Sequence, residues 1–294
     1  MTPVLGGSPQ NAGCAFLASK LKAKICCLEF FILKMEKSNL LQGKVAFITG
    51  GAQGIGKAVA RSFIKHGGKA ILADCDQKKL EKTVSELGSC AKGMKLDVVD
   101  EIATESIAKK AFEVFGTVNT VIPNAGVLLL KHGIDTSASE FRKVIDVNLT
   151  GAFITATVFA RVMIQNHIDG RIIMTSSLFG MRGGRENSAY SASKFGMIGL
   201  MHCLAAELAE KKILVNCVCP GQMETEMLNK LFRDRAKITG TTEEEIREKL
   251  TNRIPTNKLG DLDDLAGTYI YLSSELSQYV TGQAITVDGG WSIG

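Results

Sequence analysis

The sequence lacks the features that mark membrane-spanning, disulfide-bonded, metal-binding and nucleic-acid-binding proteins. No stretch reaches the roughly 18 uninterrupted apolar residues that a transmembrane helix needs, so we expect no membrane partner. The eight cysteines form no CxxC pair and no zinc-like spacing with histidine, which argues against a metal site and a disulfide framework. The net charge of +5 is not gathered into a basic block with interleaved aromatics, so nucleic acid is not an expected partner.

The chain is also poor in proline and in aromatic residues. It has 5 prolines and 6% aromatics against 45% apolar residues and 30 glycines. This balance excludes a disordered chain and a charge-dominated coiled coil, and it is typical of α/β proteins with many tight turns. Several cysteines lie in apolar runs, as is usual in a reducing compartment, so we expect a cytoplasmic protein.

Short β-branched runs alternate with helical stretches from residue 44 onward, which indicates βαβ units and a parallel sheet. The predicted fold is a single-domain α/β protein with a Rossmann-type, doubly wound, seven-stranded parallel sheet and helices on both faces. The strands are predicted at residues 45–48, 70–73, 92–96, 120–122, 171–175, 214–218 and 284–287. The helices are predicted at residues 54–66, 77–87, 100–115, 139–166, 189–210 and 262–273.

Residues 1–34 do not follow this alternation. They are poor in acidic residues and lack both the basic start and the cleavage pattern of a secretory signal. We predict a disordered extension upstream of a start at Met35, with an organelle-targeting segment as the alternative. The catalytic domain is then 35–294, and removal of 1–34 should leave activity and thermal stability unchanged.

A glycine-rich turn follows the first predicted strand and opens a helix. Gly50, Gly54 and Gly56 lie in this turn, where glycines let the backbone approach a pyrophosphate held by free N–H groups at the helix N-terminus. The position between a buried strand and an amphipathic helix predicts a dinucleotide site.

The Gly-x-x-x-Gly-x-Gly spacing resembles the short-chain dehydrogenase/reductase family, and the resemblance covers the chain from about Leu41 onward. Further matching segments are Asp97-Val98, Asn124-Ala125-Gly126, Asn148, Ser177, Tyr190 with Lys194, Pro220-Gly221 with Thr225, and Asp288-Gly289-Gly290. One departure is Pro123, where the family generally has an asparagine. Proline removes a backbone donor there, which puts local hydrogen bonding in doubt but not the active site.

The resemblance implies an oxidoreductase with Asn148, Ser177, Tyr190 and Lys194 as its catalytic residues. Tyr190 and Lys194 are four residues apart on a predicted helix, so they share a face. An ammonium beside the phenol should lower the pKa of Tyr190 and make it a proton acceptor. In the family, the serine orients the substrate oxygen, the lysine also reaches the nicotinamide ribose, and the asparagine holds a water that relays protons.

The cofactor predicted from these residues is NAD rather than NADP. A carboxylate at Asp74, after the second strand, would accept hydrogen bonds from the adenosine ribose and repel a 2′-phosphate. The alternative role for Asp74 is to cap the next helix, for which Asp76 is better placed. The predicted cofactor-binding set is Gly50, Gln53, Gly54, Ile55, Gly56, Asp74, Asp97, Val98, Asn124, Ala125, Gly126, Tyr190, Lys194, Pro220, Gly221, Met223 and Thr225.

The substrate is less well defined. Residues 222–255 predict two amphipathic helices that form a lid with an apolar inner face. Arg182, Arg185, Glu186 and Asn187 are candidates to meet hydroxyls or a carboxylate, or are solvated loop positions. The lid sequence is similar to that of polyol and diol dehydrogenases, which predicts a small secondary alcohol or ketone. The alternatives are a 3-oxoacyl-(acyl-carrier-protein) reductase, against which Asp74, Ile168 and Ala206 argue, and a non-catalytic nucleotide-binding scaffold.

Two predicted helices are apolar on nearly all sides. Residues 153–164 and 195–208 would leave an apolar face in water in a monomer, with Met201 and Leu208 on the outward side of the second helix. Pairing across a two-fold axis would bury both helices, so we expect at least a homodimer. The family resemblance extends this to a homotetramer.

Overall fold

The computed structural model describes residues 39–293. The predicted extension at 1–34 lies outside the described residues. Seven strands form one parallel sheet in the order β3-β2-β1-β4-β5-β6-β7. The strands are β1 (Val45–Thr49), β2 (Lys69–Asp74), β3 (Ala91–Lys95), β4 (Thr120–Ile122), β5 (Gly170–Thr175), β6 (Ile213–Pro220) and β7 (Ala284–Val287). The strand order reverses between β1 and β4, which is where doubly wound sheets bind ligands.

The crossovers between the strands are helical. The helices are α1 (Gly54–Lys65), α2 (Gln77–Leu87), α3 (Glu101–Phe115), α4 (Ala138–Ile145), α5 (Gly151–Gln165), α6 (Ser188–Leu208), α7 (Glu226–Thr239), α8 (Glu243–Thr251) and α9 (Leu262–Ser273). Helix α1 packs against α9, α3 against α5, and α6 against β6. Phe47 of β1 contacts Phe159 of α5 with ring centroids 4.3 Å apart, in the centre of the apolar core.

The sequence-predicted strands and helices are confirmed, with one difference inside the helix predicted over 139–166. That helix is interrupted by a π turn, Asp146–Thr150, between α4 and α5. A π turn accommodates one extra residue in the helical repeat and is frequent at functional sites. Here it contains the buried Asn148.

The stretch Ala138–Gln165 is long and apolar enough to cross a membrane by composition alone. Its apolar residues are instead used inside the domain, because Ala156, Phe159 and Met163 are fully buried against the sheet and the neighbouring helix α3. It is a core helix of the fold.

Helices α5 and α6 each keep large apolar side chains on their outer surface. Phe153 is 43% exposed, Ile164 37% and Phe195 45%. Met201 is fully buried, so its predicted outward position is wrong. A helix that is apolar on all sides has no sequence signal for which side faces the sheet, and the fold places Met197 and Met201 inward.

The segment after β6 forms the two predicted lid helices, α7 and α8. Leu228, Leu231 and Phe232 of α7 join Ile246 and Leu250 of α8 in a separate apolar cluster. Ala236 of α7, Ile254 after α8, and Leu178, Leu259 and Trp291 from the domain body complete this cluster. The lid is therefore packed onto the body through an apolar contact.

Candidate active site

A cavity of about 480 Å³ lies at the carboxyl edge of the sheet, beneath the lid. It brings together most of the predicted site residues: Gly50, Gln53, Gly54, Ile55, Asp74, Asp97, Val98, Asn124, Ala125, Gly126, Ser177, Tyr190, Lys194, Pro220, Gly221, Met223 and Thr225. Gly56 and Asn148 do not line it. The cavity ends in two regions, the glycine turn with Asp74 on one side and Ser177 with Tyr190 on the other.

The glycine turn is shaped by close backbone approach. A side chain at Gly50, which has a φ of +62°, would place its Cβ 2.9 Å from the Cα of Ala125. At Gly56 a Cβ would lie 2.3 Å from the Gly50 carbonyl oxygen, so Gly56 lets α1 pack directly against the turn. Gly54 has a φ of +54° and no atom within 4 Å of its Cβ position, so the turn is open on that side.

The N-terminus of α1 faces this opening and has no side-chain cap from Gln53. Its first-turn N–H groups have no partner within the helix and match the oxygens of a pyrophosphate. The open glycine turn and the uncapped helix therefore fit a dinucleotide. Gly56 supports the turn from behind, which explains why it does not line the cavity.

Asp74 ends β2 with a carboxylate fixed by two backbone donors. The N–H of Ala52 donates to one oxygen at 3.1 Å and the N–H of Asp76 donates to the other at 3.0 Å. Asp76, not Asp74, caps α2 by accepting from the N–H of Lys79 at 3.1 Å. The capping alternative for Asp74 is therefore wrong, and its carboxylate lines the cavity at the glycine turn.

Asn124 ties the end of β4 to the glycine turn. Its side-chain amide donates to the Thr49 carbonyl at 2.9 Å, and its backbone N–H donates to the Thr49 hydroxyl at 2.9 Å. The neighbouring Pro123 has no N–H to donate, but its carbonyl still accepts from the N–H of Thr175 at 3.0 Å. The departure from the family pattern at Pro123 therefore leaves the cofactor turn intact.

Tyr190 and Lys194 share one face of α6, as predicted. The Lys194 Nζ lies 5.6 Å from the centroid of the Tyr190 ring and donates to the Thr175 carbonyl at 2.6 Å. Ser177 follows β5, where its hydroxyl accepts from the N–H of Phe179 at 3.1 Å. The carboxyl end of β5 and the first turns of α6 thus bring the three side chains to one end of the cavity.

Burial has opposite effects on the two titrating groups because it disfavours charge. It lowers the pKa of Lys194 to about 8. It raises the pKa of the Tyr190 phenol, while the neighbouring Ser177 hydroxyl acts in the opposite direction. This differs from the prediction that the lysine lowers the phenol pKa: in this structure desolvation is the dominant cause, and Lys194 is bonded to Thr175 instead.

Asn148 lies behind the cavity wall with its amide fully engaged. Its oxygen accepts from the N–H of Val127 at 2.8 Å, and its nitrogen donates to the Val127 carbonyl and to the Ser193 hydroxyl, both at 3.0 Å. The Asn148 side chain does not line the cavity, and its catalytic role through a bound water stays a prediction. Asn148 instead positions the Gly126–Val127 segment, since the π turn directs it inward.

Several cavity residues were not predicted as site residues from the sequence, among them Thr175, Ser176 and Gln222. Thr175 supplies the carbonyl that holds Lys194, and Ser176 donates to the Lys194 carbonyl at 2.9 Å, which anchors α6. Gln222 lines the cavity at the base of the lid. The signal for Thr175 and Ser176 was their position at the end of a buried strand, directly before the predicted Ser177.

Comparison with known proteins decides the family. The sequence model described as enoyl-(acyl carrier protein) reductase matches residues 50–292. A short-chain type dehydrogenase/reductase of Sinorhizobium fredii is 35% identical over 263 residues, covering 86% of this chain and 99% of the relative. The chain belongs to the short-chain dehydrogenase/reductase family. It is therefore an oxidoreductase of a family that acts on CH–OH groups and binds NAD(P).

Other relatives of this short-chain dehydrogenase/reductase differ in substrate. A 3-oxoacyl-(acyl-carrier-protein) reductase of Aquifex aeolicus is 32% identical, covering 85% of this chain and 98% of its own. An L-rhamnose 1-dehydrogenase (NAD(P)(+)) of Azotobacter vinelandii is 31% identical, covering 85% of this chain and 97% of its own. These relatives share the fold and the class of reaction.

Solved structures agree on the fold. Sorbitol-6-phosphate 2-dehydrogenase of Erwinia amylovora matches with a TM-score of 0.80 at 30% identity, covering 84% of this chain and 98% of that one. An actinorhodin polyketide ketoreductase variant with NADPH matches with a TM-score of 0.82 at 30% identity, covering 85% of this chain and 98% of that one. The seven-stranded Rossmann-type sheet is thus the short-chain dehydrogenase/reductase fold.

Proposed function

We propose that the protein is an NAD-dependent oxidoreductase that interconverts a secondary alcohol and its ketone, with a polyol, diol or similar small molecule as substrate. The observation that carries the proposal is the Asp74 carboxylate, held at the glycine-turn end of the cavity by the N–H groups of Ala52 and Asp76. A fixed negative charge there favours ribose hydroxyls and repels a 2′-phosphate. The second support is the placement of Ser177, Tyr190 and Lys194 at the opposite end.

The cofactor would be held by the α1 N-terminus, the glycine turn, Asp74 and the Asp97-Val98 pair. When bound, the nicotinamide supplies the hydride acceptor or donor. Tyr190 takes the hydroxyl proton of the alcohol, or returns it to the ketone oxygen in the reverse direction. Ser177 orients the same oxygen by hydrogen bonding. Asn148 holds the backbone of Val127 beside them, and its proton-relay role stays a prediction.

Lys194 has two functions in this proposal. Its ammonium is available near neutral pH because the lowered pKa of about 8 still leaves most of the population protonated at pH 7. A positive charge beside Tyr190 favours the phenolate, which offsets the rise in the phenol pKa that burial causes. The same ammonium can exchange the Thr175 carbonyl for a ribose hydroxyl, since both are oxygen acceptors.

A 3-oxoacyl-(acyl-carrier-protein) reductase is the second candidate, and the relatives of that name support it. Two positions argue against it. Ala206 is exposed and Ile168 is half-buried. The family resemblance implies that bacterial reductases similar to this chain have, at these two positions, arginines that contact the acidic carrier. The polyol proposal is supported by the likeness to an L-rhamnose 1-dehydrogenase and a sorbitol-6-phosphate dehydrogenase.

The proposal includes a homotetramer in the cytoplasm, with no nucleic-acid, membrane or metal partner. The apolar outer faces of α5 and α6 support the assembly, since Phe153 and Phe195 are more than two-fifths exposed. The five cysteines in the described part of the chain, none of them in a disulfide, support a reducing compartment.

The test is a substrate screen with the purified full-length chain. Polyols, diols, hydroxysteroids and 3-oxoacyl thioesters are each assayed with NAD(H) and NADP(H). We expect turnover of a polyol or diol with a higher kcat/KM for NAD. Turnover confined to 3-oxoacyl thioesters with NADPH would establish the alternative function instead.

A further inference from the structure

A second cavity of about 480 Å³ adjoins the catalytic cavity on the far side of Phe179. It lies between the loop after Ser177 and the lid helices α7 and α8. Phe179, Gln222 and Leu231 line both cavities, so the two spaces share a wall. A molecule that holds its reacting carbon near Tyr190 would reach the second cavity across this shared wall.

Five of the residues that line the second cavity are cationic, and four of these five side chains are solvent-exposed. Arg182 and Arg185 come from the loop after Ser177, Lys249 comes from α8, and Arg253 comes from the turn that follows α8. Within residues 39–293, none of these four lies within ion-pair distance of a carboxylate. By contrast, Arg61, Arg161 and Arg247 each have an acidic partner.

The one acidic residue of the lining does not neutralise these cations. The Glu186 carboxylate is 3.4 Å from the guanidinium of Arg235, and both side chains are largely buried, at 11% and 21% exposure. Its charge is therefore matched by a fifth cation of the same cavity. The four remaining positive charges are left without a counter-charge from the described protein.

The wall of the cavity is held in place by its own contacts. Glu186 adopts a left-handed backbone with a φ of +58°, and its carbonyl accepts from the N–H of Lys131 at 2.7 Å. Arg253 stacks over the ring of buried Trp291 with its guanidinium 4.6 Å from the ring centroid. Two sides of the site are thus fixed before any ligand binds, which reduces the cost of ordering them.

We propose that this cavity is an anion subsite that binds a phosphate monoester or carboxylate carried by the substrate. Clustered cations in a concave site repel each other and focus the field, and both effects favour an anion. Guanidinium groups suit the geometry of both anions through paired N–H donors. The inference rests on the proposed oxidoreductase activity and narrows its substrate to an anionic secondary alcohol or ketone.

Matched substrates that differ only in charge test the proposal. Sorbitol is compared with sorbitol 6-phosphate, and 3-hydroxybutyrate with its methyl ester, each with NAD. The site variant is the double substitution Arg185→Gln with Lys249→Gln. The control is Arg233→Gln with Lys237→Gln, which removes the same charge from exposed positions of α7 that do not line the cavity.

We expect wild-type protein to prefer the anionic member of at least one pair. The site variant should lower the ratio of anionic to neutral kcat/KM about tenfold, since charge-assisted hydrogen bonds are lost, and the control should not. Equal use of both members, or equal losses in the two variants, would overturn the subsite. The pair that shows the preference distinguishes a phosphate from a carboxylate.

A binding measurement separates failure of the subsite from failure of the proposed activity. With the dinucleotide site filled by saturating NAD, inorganic phosphate at constant ionic strength should raise the Tm of the wild-type protein and of the control variant, and not that of the site variant. This result would support the subsite even if no substrate pair were turned over. No shift in the wild-type protein, or the same shift in the site variant, would overturn it.

Discussion

The ammonium of Lys194 donates a 2.6 Å hydrogen bond to the backbone carbonyl of Thr175 in a site where the lysine is 3% exposed. One neutral acceptor compensates only in part for the lost hydration of a charge. The pKa of Lys194 accordingly falls from 10.5 to about 8. The catalytic cavity therefore contains a cation whose burial costs stability.

This cost leads to a stability prediction for Lys194→Met. The unfolded chain binds more protons than the folded one between about pH 8 and 10.5, so wild-type stability rises with pH across that window. The difference between a pKa of 10.5 in the unfolded chain and about 8 in the folded protein corresponds to about 3 kcal/mol of folding free energy. Loss of the hydrogen bond to Thr175 in the variant cancels about 1 kcal/mol of this gain. We expect Lys194→Met to be more stable than wild type at pH 7 by about 2 kcal/mol, and inactive.

Urea unfolding at pH 7 and pH 10, at one protein concentration, checks this prediction. The difference in unfolding free energy between the variant and the wild-type protein should be smaller at pH 10 than at pH 7. A variant that is less stable than wild type at pH 7 would show that the Thr175 contact outweighs the cost of desolvation.

Tyr190→Phe tests the acid–base assignment. The substitution keeps the ring and removes only the hydroxyl that exchanges a proton with the substrate. We expect kcat to fall by about 10²–10⁴-fold, with NADH affinity unchanged by fluorescence titration. Tyr271→Phe, on α9 outside the cavity, is the control. If Tyr190→Phe kept more than about a tenth of the wild-type kcat, another group would be the acid.

Asp74→Ala tests the cofactor preference. Loss of the carboxylate removes the repulsion of a 2′-phosphate, so the ratio of kcat/KM for NAD over NADP should fall by at least about tenfold. Asp76→Ala is a matched control, because it removes a nearby acid that caps α2. The control should lower stability by about 1 kcal/mol and leave the cofactor ratio unchanged. Equal use of both cofactors by the wild-type protein would contradict the role of Asp74.

The fold and most of the cofactor site were predictable because their signals are local. Buried parallel strands read as β-branched runs, and the glycine spacing from Gly50 to Gly56 is visible within seven residues of sequence. Tyr190 and Lys194 share a face simply because α6 has 3.6 residues per turn. These features require no knowledge of what packs against them.

Other features were not predictable because they depend on distant partners. The π turn at Asp146–Thr150 contains neither proline nor glycine, so the sequence reads as one helix. Lys249 and Arg253 join Arg182 and Arg185 only because the lid packs onto the loop after Ser177. The pKa of Tyr190 depends on burial, which a spacing of four residues does not reveal.

The π turn leads to a prediction for Asn148→Ala. The substitution leaves the backbone N–H and carbonyl of Val127 without their side-chain partner, together with the Ser193 hydroxyl. Each of these three hydrogen bonds contributes about 0.5–1.5 kcal/mol, so we expect the free energy of unfolding to fall by about 2 kcal/mol. Because Val127 lines the cavity, kcat should fall as well.

Ser193→Ala is the matched control for Asn148→Ala. It removes one of the three hydrogen bonds of Asn148, together with the bond that the Ser193 hydroxyl donates to the Tyr190 carbonyl at 2.7 Å, and it leaves both contacts to Val127. The loss of stability should therefore be smaller than in Asn148→Ala, and kcat should fall less. Circular dichroism melts and steady-state kinetics measure the two effects. Equal effects in both variants would show that the Ser193 contact, rather than the Val127 segment, is what Asn148 supports.

The outer faces of α5 and α6 predict the assembly and the way to disrupt it. Phe153 and Phe195 are 43% and 45% exposed, which is costly for aromatic rings unless another copy of the chain covers them. Introducing Phe153→Asp and Phe195→Asp together places charges on both faces. The predicted homotetramer should then separate into smaller species at micromolar concentration, with a lower Tm because the covered apolar area is lost.

Ile238→Asp on α7, at 44% exposure, is the matched control and should leave the assembly intact. Sedimentation velocity decides the matter, and a wild-type protein that sediments as a monomer would show that these faces are not an interface.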